Sequence, residues 1–215
     1  MNLCVFDFDS TLMDGETIDF LADEIGIKDK VSAITKKAMA GELDFFESLI
    51  KRVSLLEGLS VEKVDEICHS LPYMKGAKEA IEKLKARGFK VIVFSGGFRN
   101  ATDYAKDILG YDASFSNILH SKNGVLSGLV GGDMMFGFSK GDMLQRVQAI
   151  LGISKENTMV VGDGANDVSM FKYAKTKVAF CANDILQKEA NVIILEKDLS
   201  KILDCIGENN VFKEV

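Results

Sequence analysis

The sequence predicts an α/β fold in which a parallel sheet lies between two layers of helices. From about residue 75 onward, short apolar segments alternate with helical patterns, as they do in parallel sheets covered on both faces. The chain also begins with a short apolar segment, but the next does not follow until Val91, and the residues between them have a helical pattern. The pair Asn123-Gly124 separates two further apolar segments and indicates a hairpin. We therefore predict a three-layer, Rossmann-like core with an inserted small helical cap and a β-hairpin.

The first predicted strand begins at about Leu3 and ends near two aspartates. The helical stretch after it runs from about Glu16 to Ser70 and ends just before Pro72, the only proline of the chain. Its apolar residues recur at intervals of three and four, as on one face of a helix. Glycines separate its helices at Gly26, Gly41 and Gly58. The predicted cap is therefore residues 14–74, inserted after the first strand, and the predicted core is residues 1–13 and 75–215.

The elements after the proline are predicted from short apolar runs and from helix start and stop residues. Gly88 ends the first of these helices, because glycine readily adopts the conformation that terminates a helix. In chain order, we predict a helix over Lys75–Arg87, a strand over Val91–Phe94, a helix near Arg99–Leu109, hairpin strands over Ser114–Leu119 and Val125–Val130, a helix after Lys140, a strand over Thr158–Val161, a helix after Ala165, strands over Val178–Phe180 and Val192–Leu195, and a last helix near Leu199–Ile206.

Composition narrows the classes of function. The 215 residues carry a net charge of −6, with a pI of about 5.1, so nothing general attracts the chain to nucleic acid or to an anionic membrane. The four cysteines are far apart and only two histidines are present, which argues against a zinc site and a disulfide framework. We find no signal peptide and no apolar run long enough to span a bilayer. We expect a cytoplasmic monomer or homodimer that binds neither nucleic acid nor membranes.

Asp7 and Asp9 come at the end of the first predicted strand and are two residues apart. On an extended chain, their side chains would start on the same face. Two carboxylates this close repel each other unless a cation or a proton lies between them. The pair therefore indicates a divalent-metal site in which one carboxylate is a nucleophile and the other carries a proton.

Three further polar features follow predicted strands or open a helix, and ligands of open parallel sheets bind at the carboxyl ends of the strands. Ser95 offers a hydroxyl, and the two glycines after it let backbone N–H groups approach an anion. Lys140 is a compact cation suited to a phosphate oxygen. Asp163 adds a hard oxygen ligand of the kind that Mg²⁺ prefers. Together with Asp7, these features favour phosphoryl transfer assisted by Mg²⁺.

In this order, the four features resemble the motifs of the haloacid dehalogenase superfamily. They are Asp7-Phe8-Asp9-Ser10-Thr11, Ser95, Lys140 and Gly162-Asp163-Gly164-Ala165-Asn166-Asp167. The predicted cap is similar to the branch of that superfamily that hydrolyses O-phosphoserine, so that the likeness covers nearly the whole chain. It is carried by Glu16-Thr17-Ile18-Asp19, by residues 34–45 and by Ser48-Leu49 leading to Arg52-Val53. The resemblance implies a Mg²⁺-dependent enzyme that converts O-phosphoserine to serine and phosphate through an aspartyl-phosphate, the last step of serine biosynthesis.

The resemblance also implies a role for each site residue. Asp7 would be the nucleophile and Asp9 the general acid and base. The substrate-binding residues would be Glu16 for the ammonium group, Arg52 for the carboxylate, Ser95, Gly96 and Lys140 for the phosphate, and Asn166 beside the phosphate. The metal ligands would be Asp7, the backbone carbonyl of Asp9, and Asp163, with Asp167 supporting the metal shell.

Two alternatives stay open from the sequence. Another phosphatase or phosphotransferase of the same superfamily would act on a different small substrate, such as a sugar phosphate, or would pass the phosphoryl group to homoserine. A signalling receiver domain also combines a parallel sheet, clustered aspartates, Mg²⁺ and a phospho-aspartate. A receiver would, however, place its acceptor after a middle strand, whereas Asp7 follows the first strand and has a second acid two residues on.

Overall fold

The computed structural model describes residues 1–39 and 42–207. Within those residues, a first strand is followed by a run of helices, after which strands and helices mostly alternate. The strands are β1 (Asn2–Asp7), β2 (Phe89–Phe98), β3 (Ala113–Lys122), β4 (Val125–Gly132), β5 (Thr158–Gly162), β6 (Thr176–Phe180) and β7 (Val192–Ile194). The helices are α1 (Thr17–Glu24), α2 (Lys28–Met39), α3 (Phe45–Ser54), α4 (Val61–His69), α5 (Ala77–Ala86), α6 (Arg99–Leu109), α7 (Ser139–Leu151), α8 (Val168–Phe171) and α9 (Asp184–Glu189), and 3-10 helices cover Lys155–Asn157, Ala165–Asp167 and Leu199–Cys205.

The strands form one sheet in the order β4-β3-β2-β1-β5-β6-β7. All neighbouring strands are parallel except β3 and β4, which form the predicted antiparallel hairpin. Strand β1 lies in the middle and alternates between the two faces: Cys4 and Phe6 belong to one apolar cluster, Leu3 and Val5 to the other. The prediction of a three-layer α/β fold with a hairpin is therefore confirmed.

Helices α1 to α4 lie between β1 and β2 in the chain, as the sequence predicts. Gly26 and Gly58 adopt positive φ values of 70° and 89°, which suits glycine at the ends of helical turns; Gly41 lies outside the described residues. The loop before α4 pairs with the hairpin, since Gly58 N donates to Leu126 O (2.9 Å) and Leu126 N donates to Leu59 O (2.8 Å). The division into a core and a separate cap stays a prediction.

Helix α4 packs on α6 through two side-chain contacts. Asn100 Nδ2 donates to Asp65 Oδ1 (2.6 Å). The rings of His69 and Tyr104 stack with their centroids 4.0 Å apart. One side of the inserted helices is therefore attached to the α/β layers by backbone and side-chain contacts together.

Two predicted helices differ from the structure. After Ala165 the chain first makes a 3-10 turn, because the Asp167 carboxylate accepts hydrogen bonds from the N–H groups of Asp163 and Gly164, and the α-helix begins only at Val168. The last helix is a 3-10 helix from Leu199 to Cys205. Its buried side chains, Leu199, Ile202 and Cys205, recur every three residues, which is the period of a 3-10 helix.

Among the residues that the structure describes, no helix combines the length and apolar character needed to cross a membrane.

Candidate active site

The carboxyl ends of three neighbouring strands meet above the middle of the sheet. Asp7 ends β1, Ser95 lies in the last part of β2, and Asp163 follows β5. Lys140 reaches the same place from the first turn of α7. A cavity opens between this edge and the inserted helices, and it is lined by Asp7, Asp9, Glu16, Ile18, Thr35, Ala38, Phe45, Leu49, Arg52, Gly96, Gly97, Phe98, Asp163 and Asn166.

A buried lysine joins two of the acids at the floor of the cavity. Lys140 Nζ lies 2.7 Å from Asp7 Oδ1 and 2.6 Å from Asp167 Oδ1. Burial alone lowers the pKa of a lysine, but the charges of Asp167 and Asp7 raise the pKa of Lys140 above its ordinary value. Asp7 Oδ1 also accepts a hydrogen bond from Phe8 N (2.6 Å), whereas no described residue donates to Asp7 Oδ2. One oxygen of Asp7 is therefore held in place, and the other is left for a ligand.

Asp7, Asp163 and Asp167 form a compact acidic cluster. Each has a carboxylate oxygen within 4.8 Å of those of the other two, and all three residues are buried. Burial, followed by the charge of a neighbouring aspartate, raises the pKa values of Asp7 and Asp163. Both oxygens of Asp167 already have partners, because Oδ1 contacts Lys140 and Oδ2 accepts hydrogen bonds from two backbone N–H groups. The cluster therefore suits a cation held by Asp7 and Asp163, with Asp167 behind them.

Asp9 lies beyond the strand and not on its extended face. Strand β1 ends at Asp7, and Ser10 has a positive φ of 57°, so the chain turns at this point. Asp9 Oδ1 accepts hydrogen bonds from Thr17 N (2.6 Å) and Thr17 Oγ1 (2.5 Å), and Oδ2 accepts one from Ser95 Oγ (3.3 Å). Burial raises the pKa of Asp9, and the Thr17 hydrogen bonds partly oppose that rise. These hydrogen bonds hold the Asp9 carboxylate between the start of α1 and strand β2, and it lines the same cavity as Asp7.

In the segment Ser95-Gly96-Gly97, the two glycines line the cavity and lie close to side chains of other elements. A Cβ atom on Gly96 would lie 2.8 Å from Phe45 Cζ, and one on Gly97 would lie 2.5 Å from Asp9 Oδ2. A larger residue at Gly97 would therefore displace the Asp9 carboxylate, and one at Gly96 would displace the tip of the Phe45 ring. Asn166 lines the cavity nearby, and its buried Oδ1 atom has no hydrogen-bond partner among the described residues. A ligand with polar hydrogens or a bound cation would satisfy this oxygen.

The far end of the cavity carries two opposite charges from the inserted helices. Arg52 on α3 is only 6% exposed, yet no described carboxylate lies within 4 Å of its guanidinium nitrogens. Burial lowers its pKa. Glu16 precedes α1, and its Oε1 accepts a hydrogen bond from Ser10 Oγ (2.8 Å). Burial and then the charge of Asp9 raise the pKa of Glu16 to about 8. This end therefore offers one acidic and one basic group to a ligand.

The structure brings all the predicted site residues to one region. Asp7, Asp9, Glu16, Arg52, Gly96, Asp163 and Asn166 line the cavity, while Ser95, Lys140 and Asp167 lie buried beneath it. Their individual roles stay predictions. Sequence reasoning assigned no role to several residues that hold these groups in place: Thr11, Thr17, Thr35 and Asn117. Thr11, Thr17 and Thr35 carried a signal, because each lies inside a segment quoted for the resemblance, whereas Asn117 lies in none of them.

Comparison with known proteins identifies the class of enzyme. Residues 1–175 match the family model described as haloacid dehalogenase-like hydrolase. The chain therefore belongs to this hydrolase family, and the signalling receiver alternative is set aside.

Several of the similar proteins are phosphoserine phosphatases. A phosphoserine phosphatase of Wolinella succinogenes is 62% identical over 203 residues, which cover 94% of this chain and 98% of that protein. A structure of a phospho-aspartyl intermediate analogue of phosphoserine phosphatase has a TM-score of 0.93 at 48% identity and covers 96% of this chain and 99% of the other. A substrate-bound phosphoserine phosphatase complex also has a TM-score of 0.93, at 47% identity, with 96% of this chain and 98% of the other covered. The chain is thus a phosphatase by similarity, as its motifs predict.

Proposed function

We propose that this chain is a Mg²⁺-dependent phosphatase that converts O-phosphoserine to serine and phosphate through an aspartyl-phosphate. One observation carries the proposal: a single cavity has the acidic cluster and Lys140 at one end and the pair Glu16 and Arg52 at the other. A phosphate ester of an amino acid has the complementary arrangement, with a phosphate at one end and an ammonium and a carboxylate group at the other. The similarity to phosphoserine phosphatases supports the same substrate.

The donor atoms at the floor of the cavity fit a magnesium ion. Asp7 and Asp163 offer hard carboxylate oxygens, and the backbone carbonyl of Asp9 is the third protein ligand that we propose. Asp167 supports the shell from behind, through its hydrogen bonds to the backbone of Asp163 and Gly164. When bound, Mg²⁺ would offset the repulsion between these carboxylates and the phosphate.

The first chemical step transfers the phosphoryl group to Asp7. Asp7 Oδ2, the oxygen without a hydrogen bond, attacks phosphorus in line, so that a phosphorus–oxygen bond to Asp7 forms as the bond to the serine oxygen breaks. Asp9 gives its proton to the departing serine oxygen. Lys140, Ser95 and the backbone of Gly96 stabilise the charge on the transferring oxygens, and Asn166 lies beside them.

The second step hydrolyses the aspartyl-phosphate. Asp9, now ionised, takes a proton from a water molecule whose oxygen attacks phosphorus. The bond between phosphorus and Asp7 breaks, which releases phosphate and restores both carboxyl groups to their starting states. Burial raises the pKa of Asp9 despite the opposing hydrogen bonds of Thr17, which favours its protonated form at the start of each cycle, as a general acid requires.

Substrate choice depends on the two charged side chains of the inserted helices. Glu16 binds the ammonium group and Arg52 binds the carboxylate. An ester without the carboxylate leaves the buried charge of Arg52 unpaired, and one without the ammonium group makes no ion pair with Glu16, so either binds less well than O-phosphoserine. We further propose that the enzyme completes serine biosynthesis in the cytoplasm as a monomer or homodimer. Its net charge of −6 gives no attraction to nucleic acid or anionic lipid.

The decisive experiment measures phosphate release from O-phosphoserine, with and without EDTA, beside a sugar phosphate and beside reactions that contain homoserine. We expect rapid release from O-phosphoserine that EDTA abolishes and added Mg²⁺ restores. Faster release from the sugar phosphate, or formation of phosphohomoserine, would support the alternatives instead. Activity that is unchanged in EDTA would remove the metal from the proposal.

A further inference from the structure

We propose that Thr35 is a positioning residue that orients Arg52 toward the carboxylate of the substrate, and that it thereby sets the preference of the enzyme for amino-acid phosphates. The inference rests on the proposed function, because it assigns Arg52 to the substrate carboxylate. It adds a residue on a different helix, since Thr35 lies in α2 and Arg52 lies in α3.

The hydrogen bonds of Arg52 define which of its N–H groups are free. Nε donates to Ser48 O (3.3 Å), and one NH1 group donates to Thr35 Oγ1 (3.1 Å). A guanidinium has five N–H groups, so these contacts leave one on NH1 and two on NH2. A free N–H on each of two adjacent nitrogens is the pattern that binds both oxygens of a carboxylate.

The direction of the Thr35 hydroxyl is fixed by its own hydrogen bond. Thr35 Oγ1 donates to Val31 O (3.3 Å), one turn earlier in α2. The single hydroxyl proton is used in that bond, so toward Arg52 the oxygen can only accept. Thr35 is 6% exposed and its contact with Arg52 is buried, so water cannot readily replace it as the acceptor.

Both residues line the cavity, and they bring α2 and α3 together at its amino-acid end. Without the acceptor, the NH1 group would be buried and unsatisfied, and the guanidinium would turn toward other acceptors. A residue that acts in this way should affect substrates with a carboxylate and spare those without one. A threonine that only joins the two helices should affect every substrate alike.

The experiment compares Thr35→Val with Thr35→Ser in the Mg²⁺-loaded enzyme. Valine keeps the shape of threonine without the acceptor, and serine keeps the hydroxyl. The substrates are O-phosphoserine and 4-nitrophenyl phosphate, which has no carboxylate. For Thr35→Val we expect KM for O-phosphoserine to rise about tenfold or more. We expect kcat/KM for 4-nitrophenyl phosphate to stay within about twofold. Thr35→Ser should restore KM for O-phosphoserine to within about threefold of the unmodified enzyme.

A double-mutant cycle with Arg52→Ala tests whether Thr35 acts through Arg52. In that background Thr35→Val should have almost no further effect on O-phosphoserine. A loss that persists there, an equal loss on both substrates, or a failure of Thr35→Ser to restore KM would each overturn the inference. If Thr35→Val does not fold, Thr35→Ala removes the same acceptor with less bulk and is judged by the same criteria. An unmodified enzyme that does not hydrolyse O-phosphoserine would instead overturn the proposed function, and the inference with it.

Discussion

The two ends of the cavity differ in how their charges are paired. At the end proposed to bind phosphate, here the phosphate end, Lys140 lies between Asp7 and Asp167, and the backbone satisfies the remaining oxygen of Asp167. At the end proposed to bind the amino-acid groups, here the amino-acid end, Arg52 donates to a carbonyl and a hydroxyl, and Glu16 accepts from a hydroxyl. The first end pairs charge with charge, and the second pairs charges only with neutral groups.

This difference in charge pairing indicates what each end of the cavity contributes when the substrate binds. The phosphate end is assembled before any ligand arrives, so that its contribution is to hold reacting groups in fixed positions. At the amino-acid end, the buried guanidinium of Arg52 has no carboxylate within 4 Å among the described residues, which costs stability in the free protein and is compensated by a substrate carboxylate, whereas the raised pKa of Glu16 favours its protonated form until an ammonium group lies beside it. Substitutions at the first end should therefore affect chemistry and folding, and substitutions at the second end should affect the choice of substrate.

The largest effect is expected from Asp7→Asn at the phosphate end. The amide cannot form the covalent intermediate, so phosphate release from O-phosphoserine should fall at least about 10⁴-fold. Rapid acid quenching with labelled substrate should show phosphoprotein in the unmodified enzyme and none in the variant. Activity close to normal in Asp7→Asn would remove this residue from the role of nucleophile.

Lys140→Met should destabilise the protein by about 3 kcal/mol, because it leaves two buried carboxylates without their cation. Urea unfolding in the presence of EDTA measures this change without help from a bound metal. The control is Lys83→Met, in which an exposed lysine on α5 loses a surface contact with Glu79 and the expected change is below about 1 kcal/mol. Equal stability of the two variants would show that the buried pairs contribute little.

At the amino-acid end, Arg52→Ala should separate the substrates. We expect kcat/KM for O-phosphoserine to fall about 100-fold, because a charge-assisted contact to the carboxylate is lost. For 4-nitrophenyl phosphate the fall should be at most a few-fold. Losses of the same size on both substrates would mean that Arg52 only supports the packing of α3.

The smallest effect concerns Glu16 and depends on pH. Its pKa of about 8 in the folded protein is above its ordinary value of 4.5, so the native state binds this proton more tightly than the unfolded state does. The stability that this proton provides is complete below pH 4.5 and is lost as the pH rises through 8. Glu16→Gln has no such loss. Above pH 8 the variant should therefore be more stable than the unmodified protein by on the order of 2 kcal/mol, a figure that allows for the partial exposure of Glu16. Urea unfolding from pH 4.5 to 9 tests this, and a variant that is less stable at pH 9 would contradict it.

Much of the α/β core was predictable because local pattern and overall topology agree there. The strands around Val91 and Thr158 are short apolar runs, and each ends in residues that a parallel sheet brings to one edge. That rule alone predicts that Asp7, Ser95 and Asp163 lie together. The prediction of an α-helix directly after Ala165 failed because a side chain overrides the local pattern there. The Asp167 carboxylate accepts two backbone hydrogen bonds, and the chain makes a 3-10 turn before the α-helix begins.

The residues that support the site were harder to predict. Thr35 and Arg52 are 17 positions apart on different helices, and a single hydroxyl in an amphipathic helix carries no periodic signal. Asn117 holds the Gly96 carbonyl from β3 with a hydrogen bond of 3.0 Å, although its own strand has no motif. Such contacts depend on how helices and strands pack in three dimensions, which the spacing of one sequence does not specify.

The pairing of the Gly58 loop with the hairpin has a consequence for self-association. Strand β4 is the last strand on its side of the sheet, and such strands readily add strands from other molecules. The backbone hydrogen bonds between Leu126 and residues 58 and 59 occupy part of this exposed edge of the sheet. A shortened chain without the inserted segment would expose this edge fully, so the segment that closes the cavity also shields part of β4 from added strands.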